Sequence, residues 1–361
     1  MSYKEIVREN YKVVFEAPEL YVDNQKRKRS GHMTHAMARF GENNFIDFNS
    51  NCSGTRANGH SAFGWVEYRI SNDAGKSYSP VYELECSKEC FYEGLWTFSV
   101  EKAVATDDGT IVAICHRNTT LEPNCCEPWL SPMCIRSTDG GVSWSEPYEC
   151  IPYKGRVYDM VYKDGIIYAM INCNENFLGT TDEHVYRLYV STNNGASFEE
   201  RSIVKYETTR RHGYCSLLFD TEGVLHAYAY NEANEHELSH SISRDGGFTW
   251  EICKPCHVRY AARNPQTALI DGVYILHSRA ENHSGFVFYT SEDGYNWDEG
   301  TYFSHVHGSC HYSNNLNLKD EKGNFLLVQF SEVYEAARVN VMHVKLRIEK
   351  PSSSQCMKCI S

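Results

Sequence analysis

The groups best placed to do chemistry are tyrosine, histidine, arginine and glutamate side chains that recur at equivalent places in a repeated sequence. Counting eight residues back from an acidic turn residue gives Arg156 (from Asp164), Tyr214 (from Glu222) and Arg263 (from Asp271). Tyr312 holds the equivalent place in the last unit, and His32 and His35 hold it in the first. The strands that follow end on Asn49, Arg117, Asn172, Glu175, Asn231, Arg279 and Glu332. Arginine grips a carboxylate through two parallel hydrogen bonds. Arg156, Arg263 and Arg279 could therefore form an anion site, with His35 and Asn231 in the same polar ring. Beside it, His212, Tyr214, His311 and Tyr312 could abstract a proton next to a carboxylate while the arginines stabilise the enolate-like charge. That is the chemistry of a uronate lyase. A glycosidase would instead use two carboxylates. Glu175, Glu232, Glu281 and Glu332 are candidates, with nothing in the sequence to choose a pair.

Such residues converge only if repeated elements bring them to one end of the molecule. One octapeptide pattern recurs as Ser71 to Tyr78 (SNDAGKSY), Ser137 to Trp144 (STDGGVSW), Ser191 to Phe198 (STNNGASF) and Ser243 to Trp250 (SRDGGFTW), with a shorter copy at Ser291 to Trp297. Asp-Gly or Asn-Gly supplies a turn that needs positive φ, and the Asp and Ser side chains can bond its backbone. The closing aromatic is expected to cover the hairpin. Strand-like runs precede the copies, as in residues 63–70, 185–190 and 286–290. A second pattern, strand–acidic-Gly turn–strand, interleaves around Gly109, Gly165, Gly223, Gly272 and Gly323, with a looser copy at Gly41. Six copies give about 60 residues each, or four strands plus turns, which is the size of a propeller blade. The expected fold is therefore all-β: a single six-bladed β-propeller over residues 1–350, with a tail at 351–361. The last unit lacks a fourth strand, and residues 11–15 are expected to supply it and close the ring.

Five such boxes within six four-stranded units resemble the sialidase superfamily, whose boxes are called Asp boxes. The resemblance spans nearly the whole chain. It implies three arginines that grip a substrate carboxylate, a tyrosine nucleophile assisted by a glutamate, and an aspartic acid/base. His311 through Glu332 looks like the family's last blade. That match makes Tyr312 the nucleophile and Glu332 the glutamate that steadies the arginines, while Arg279 matches one of the three. The sequence departs elsewhere. His32 to His35 stand where the first arginine is expected, Tyr214 stands near the assisting glutamate's place, and no Asp lies around Asn58 and His60. The implied activity is an exo-glycosidase acting on an acidic terminal sugar of a short glycan. A uronate lyase using His212 or Tyr214, and a glycan-binding propeller without chemistry, are the alternatives.

Composition narrows the partners. The net charge of −12 argues against nucleic acid, and no apolar run is long enough for a membrane helix. The start MSYKEIVREN has no secretory apolar stretch, and fifteen cysteines cannot all pair internally. A cytoplasmic protein with reduced thiols is expected. The basic run Lys26 to Arg29 reads as a solvated loop. His236-Glu237-Leu-Ser-His240 matches a zinc pattern that requires a helix, whereas here it runs into a strand that would hold the two histidines too far apart. Cys253 and Cys256, alone or with Cys356 and Cys359, read as buried thiols. Trp96 and Trp129 sit in loops and are expected to pack between blades. No cofactor or metal is expected.

Overall fold

The computed structural model describes residues 3–31, 35–53, 64–93, 96–119, 130–173, 185–207, 212–305, 312–335 and 338–351. Six antiparallel sheets form the blades of a propeller. Their innermost strands are Met37–Arg39, Trp96–Ala105, Gly155–Lys163, His212–Phe219, Arg263–Ile270 and Ser313–Asp320, numbered here as blades I to VI. Each contacts the next around the axis, and the sixth touches the first, which closes the ring. Closure follows the sequence expectation. Lys12–Phe15 pairs with Arg338–Glu349 in the last blade, from Lys12 opposite Glu349 to Phe15 opposite Leu346, and Lys4–Val7 extends that sheet by one more strand.

The octapeptides form the turns after the third strands. Ser71 Oγ donates to Asp73 Oδ1 (2.9 Å) and accepts the Gly75 N–H (2.8 Å), while Asp73 accepts the Ser77 N–H (2.8 Å) and hydroxyl (2.6 Å). The same bonds recur around Asp139 and Asp245. The closing aromatics reach further than expected, because they staple each turn to the preceding blade. Trp144 Nε1 donates to Tyr68 OH (3.2 Å), and Trp250 Nε1 to Ser202 Oγ (2.9 Å). Gly247, at φ 88°, fits because a Cβ there would collide with Leu188 of the neighbouring blade.

Apolar packing lies between blades, as expected where each sheet buries both faces. Val112 and Ile114 of blade II meet Val157 and Ile171 of blade III. Phe15 packs edge-on against Phe288, with centroids 5.0 Å apart, so the closing strand is also held by core contacts. Two segments depart from expectation. Glu85–Glu93 is a helix whose Cys86 and Cys90, four residues apart, face the blade I–II core; nine residues are too few to reveal a helical period. The basic run is not simply solvated, since Arg27 pairs with buried Glu67 (2.6 Å) and Arg29 bonds Asn51 (2.6 Å). Among the described residues, no helix is long and apolar enough to cross a membrane, and the ten cysteines are free thiols.

Candidate functional site

Four of the six inner strands carry a β-bulge. In blade II, Lys102 faces Ile114 and Val100 faces Cys115, so Glu101 has no opposite residue. Tyr158 is the extra residue in blade III. Gly213 and Tyr214 share one position in blade IV, as do Asn264 and Pro265 in blade V. A bulge breaks the two-residue alternation and re-aims side chains. Neighbours such as Glu101 and Lys102, or Tyr158 and Asp159, are all buried.

These residues build two layers across the axis. In the upper one, the Arg156 guanidinium is fully buried and bonds both oxygens of Glu101 at 2.9–3.0 Å. It also lies 5.0, 5.1 and 5.4 Å from the ring centres of Tyr158, Tyr214 and Tyr312. Burial alone would weaken its charge, but Glu101 together with Tyr312, Tyr214 and Tyr158 outweighs that and holds Arg156 firmly protonated. Arg156 was expected among the carboxylate-binding arginines. The structure instead commits it to Glu101, and its charge is already met. The Tyr214 and Tyr312 hydroxyls sit 3.0 Å apart. Burial, then the neighbouring Tyr214, pushes the Tyr312 phenol well above its ordinary range, although Arg156 and Arg279 pull the other way.

In the lower layer, Lys102 Nζ lies 3.0 Å from Asp159 Oδ1 and donates to Asn314 Oδ1 (2.8 Å) and to Gln266. Asp159 accepts from Ser216 Oγ (2.8 Å) and Leu217 N–H (2.7 Å), and Ser216 bonds Thr267 (2.8 Å). Five blades are thus tied together across the axis. Between the layers, beside His35 and Tyr312, only about 10 Å³ is open, room for a water at most. A larger opening of about 270 Å³ lies on the other side of the Lys102 layer, lined by Met37, Asp159, Thr267 and Asn315 among others.

Arg263 and Arg279 are cross-strand partners in blade V. Arg279 is 5% exposed, and its Nε has no hydrogen-bond partner among the described residues, nor does that of Arg263. Arg263 lies 3.9 Å from both Glu232 and Glu235, longer than a hydrogen bond. The amides of Asn172, opposite Arg156, and of Asn264, beside Arg263, are buried and likewise unsatisfied.

The remaining expected residues are placed as follows. His35 is buried, its ring parallel to that of Tyr312 at 6.1 Å. Asn231 turns its carbonyl to the N–H groups of Ala233 and Asn234, so its side chain caps a turn rather than facing a ligand. His212 opens its strand opposite Asn231, but its side chain lies outside the described residues, as do the side chain of Trp96 and all of His32, Asn58, His60, Trp129, Glu175, His311, Cys356 and Cys359. Glu332 does not steady an arginine among the described residues; its carboxylate accepts from Ser304 (3.4 Å), and burial raises its pKa. Glu281 lies 3.4 Å from His236 Nε2. The zinc-like pattern lies in the strand Glu237–Ser243, where buried His240 meets the His226 ring nitrogen (3.0 Å) and Cys256 Sγ (3.7 Å).

The fold is that of the sialidase-like six-bladed propellers. No family profile matches the sequence, and no curated protein sequence is similar to it. Solved structures are. A protein of unknown function from Dyadobacter fermentans DSM 18053 matches with a TM-score of 0.72 at 16% identity, over 93% of this chain and 99% of that one. A Hadza microbial sialidase matches at 0.64 and 12% identity, covering 93% and 69%. The sialidase of Trypanosoma rangeli matches at 0.61 and 10%, covering 88% of this chain but 55% of its own. At these identities the likeness is one of fold.

Proposed function

We propose that the protein is a carbohydrate-active enzyme that binds the acidic terminal sugar of a short oligosaccharide above Arg156. Arg263 and Arg279 grip its carboxylate, and Tyr312 is the group nearest the reacting carbon. The observation that carries this reading is the unsatisfied ring. Among the described residues, the Nε groups of Arg263 and Arg279 and the amides of Asn172 and Asn264 are buried without hydrogen-bond partners, whereas buried polar groups in folded proteins are ordinarily paired. A planar anion rich in hydroxyls meets those needs. On this reading the octapeptide turns are Asp boxes, the reaction is exo-glycosidic hydrolysis, and the protein works in the cytoplasm.

Elimination from a uronate is the second reading. It is favoured by the Tyr312 phenol, which burial keeps protonated and therefore able to give a proton to a leaving oxygen. The test is mass spectrometry of products from sialylated and uronate oligosaccharides incubated in heavy-oxygen water. Labelled products support hydrolysis. Unlabelled, unsaturated products replace it with elimination. No product from any substrate, with binding retained, leaves a glycan-binding propeller.

A further inference from the structure

We propose that Glu232 is the acid/base carboxylate of this site, giving a proton to the leaving oxygen and taking one from the incoming water. The proposal rests on the reading that the site hydrolyses glycosides of acidic sugars. Glu232 directly follows Asn231, where the second strand of blade IV ends, and the inner strand of that blade supplies Tyr214. Arg263 lies between two carboxylates, with Glu232 3.9 Å from one of its terminal nitrogens and Glu235 3.9 Å from the other.

The two carboxylates are not equivalent. Glu235 accepts the Tyr230 hydroxyl, and its backbone carbonyl accepts the Ala262 N–H (3.2 Å). It is built into the wall. Glu232 accepts no hydrogen bond among the described residues, although the two side chains are about equally exposed, 25% and 28%. A tied carboxylate braces, whereas an untied one that water can reach can exchange protons. Of the other candidates, Glu281 faces His236 and Glu332 bonds Ser304, while Glu175 lies outside the described residues. Glu232 is the described carboxylate that stands unbonded beside the anion clamp. A sugar carboxylate held by Arg263 and Arg279 brings a glycosidic oxygen on the adjoining carbon to within reach of it.

The step balances. The Glu232 carboxyl gives its proton to the glycosidic oxygen as the bond from that oxygen to the sugar carbon breaks and its electron pair moves to the oxygen. The electron-deficient carbon then faces Tyr312. A water oxygen bonds to that carbon and loses a proton to the Glu232 carboxylate, which restores the acid. One water is consumed and one glycosidic bond becomes two hydroxyls.

The experiment compares the full chain with Glu232→Gln and Glu235→Gln on sialyllactose and on 4-methylumbelliferyl sialoside, with the matching glucuronides alongside. Glu232→Gln should lower kcat/KM for the disaccharide by roughly 10²–10⁴-fold. It should spare the methylumbelliferyl substrate, whose leaving group needs no proton, abolish the alkaline limb of the pH profile, and regain turnover in azide with an azido-sugar product. Glu235→Gln should raise KM without these effects. Equal losses on both substrates with no azide response would make Glu232 a binding residue and overturn the proposal. An active wild type with an unaffected Glu232→Gln overturns the assignment alone, whereas a wild type inert on every substrate overturns the hydrolytic reading with it.

Discussion

Replacing Lys102 with methionine removes a charge on which three other blades converge. Its ammonium meets Asp159 of blade III, Gln266 of blade V and Asn314 of blade VI, and the side chains of Lys102 and Asp159 are only 8% and 6% exposed. Methionine retains most of the volume, so the loss is chiefly electrostatic. Removing one partner of a buried ion pair costs about 3–5 kcal/mol. Asp159 keeps the N–H groups of Met160 and Leu217 and the Ser216 hydroxyl, which holds that cost near its lower end. The stranded oxygen of Gln266 adds back about 1 kcal/mol, whereas Asn314 Oδ1 keeps the Asn315 N–H. We expect a loss of about 4 kcal/mol in total. The assay is urea unfolding of wild type, Lys102→Met, Asp159→Asn and the double variant. The double variant leaves no buried charge unpaired, so it should be at least about 2 kcal/mol more stable than the sum of the singles implies. A loss below about 1 kcal/mol for Lys102→Met, or strictly additive singles, would refute the role of this lysine as keystone of the axis.

Three further outcomes follow from the geometry. Tyr312→Phe should lower turnover by at least roughly 10²-fold while the dissociation constant for an acidic sugar, read by calorimetry, stays near the wild-type value; an equal loss of binding would make Tyr312 a contact residue only. Arg279→Met should weaken binding of an acidic sugar by about 2–4 kcal/mol and leave a neutral sugar of the same size unaffected, again by calorimetry. The hydroxyls of Ser143 and Thr249 hold Asp139 and Asp245 at about 2, below the ordinary 3.8. Because these pKa values are depressed in the folded state, their stabilisation is present above about pH 4 and is lost as the pH falls toward 2. Asp139→Asn should therefore lose less stability than wild type between about pH 5 and pH 2.5, measured as the urea midpoint at each pH.

The sequence and the structure agree wherever period and turn chemistry speak. Octapeptides and acidic-Gly turns were enough to count six blades and to assign the closing strand to residues 11–15, because both rest on local backbone geometry. Counting back from the turn also brought Arg156, Tyr214, Arg263 and Tyr312 to the strand starts. It missed Glu101, Lys102 and Asp159. Their strands bulge at Glu101 and Tyr158, which shifts the two-residue alternation that a count along the chain relies on. Acidic and basic residues side by side within an inner strand, Glu101-Lys102 above all, were the available signal. Partner choice was less legible. Nothing along the chain shows that Glu101 rather than Glu332 would answer an arginine, since that depends on contacts between blades II and III.

The strand that completes blade VI sets a timetable for synthesis. Lys12–Phe15 leaves the ribosome roughly half a minute before its partner Arg338–Glu349 at ordinary elongation rates. Blades I to V can each pair their own strands as they appear, but the hairpin of Lys4–Val7 and Lys12–Phe15 must wait without its Arg338–Glu349 partner, presenting an open edge to neighbouring nascent chains. A circularly permuted gene that places residues 3–22 after Glu349 would make the last blade local. It should shorten that exposure and raise the yield of soluble protein without altering the ring that results.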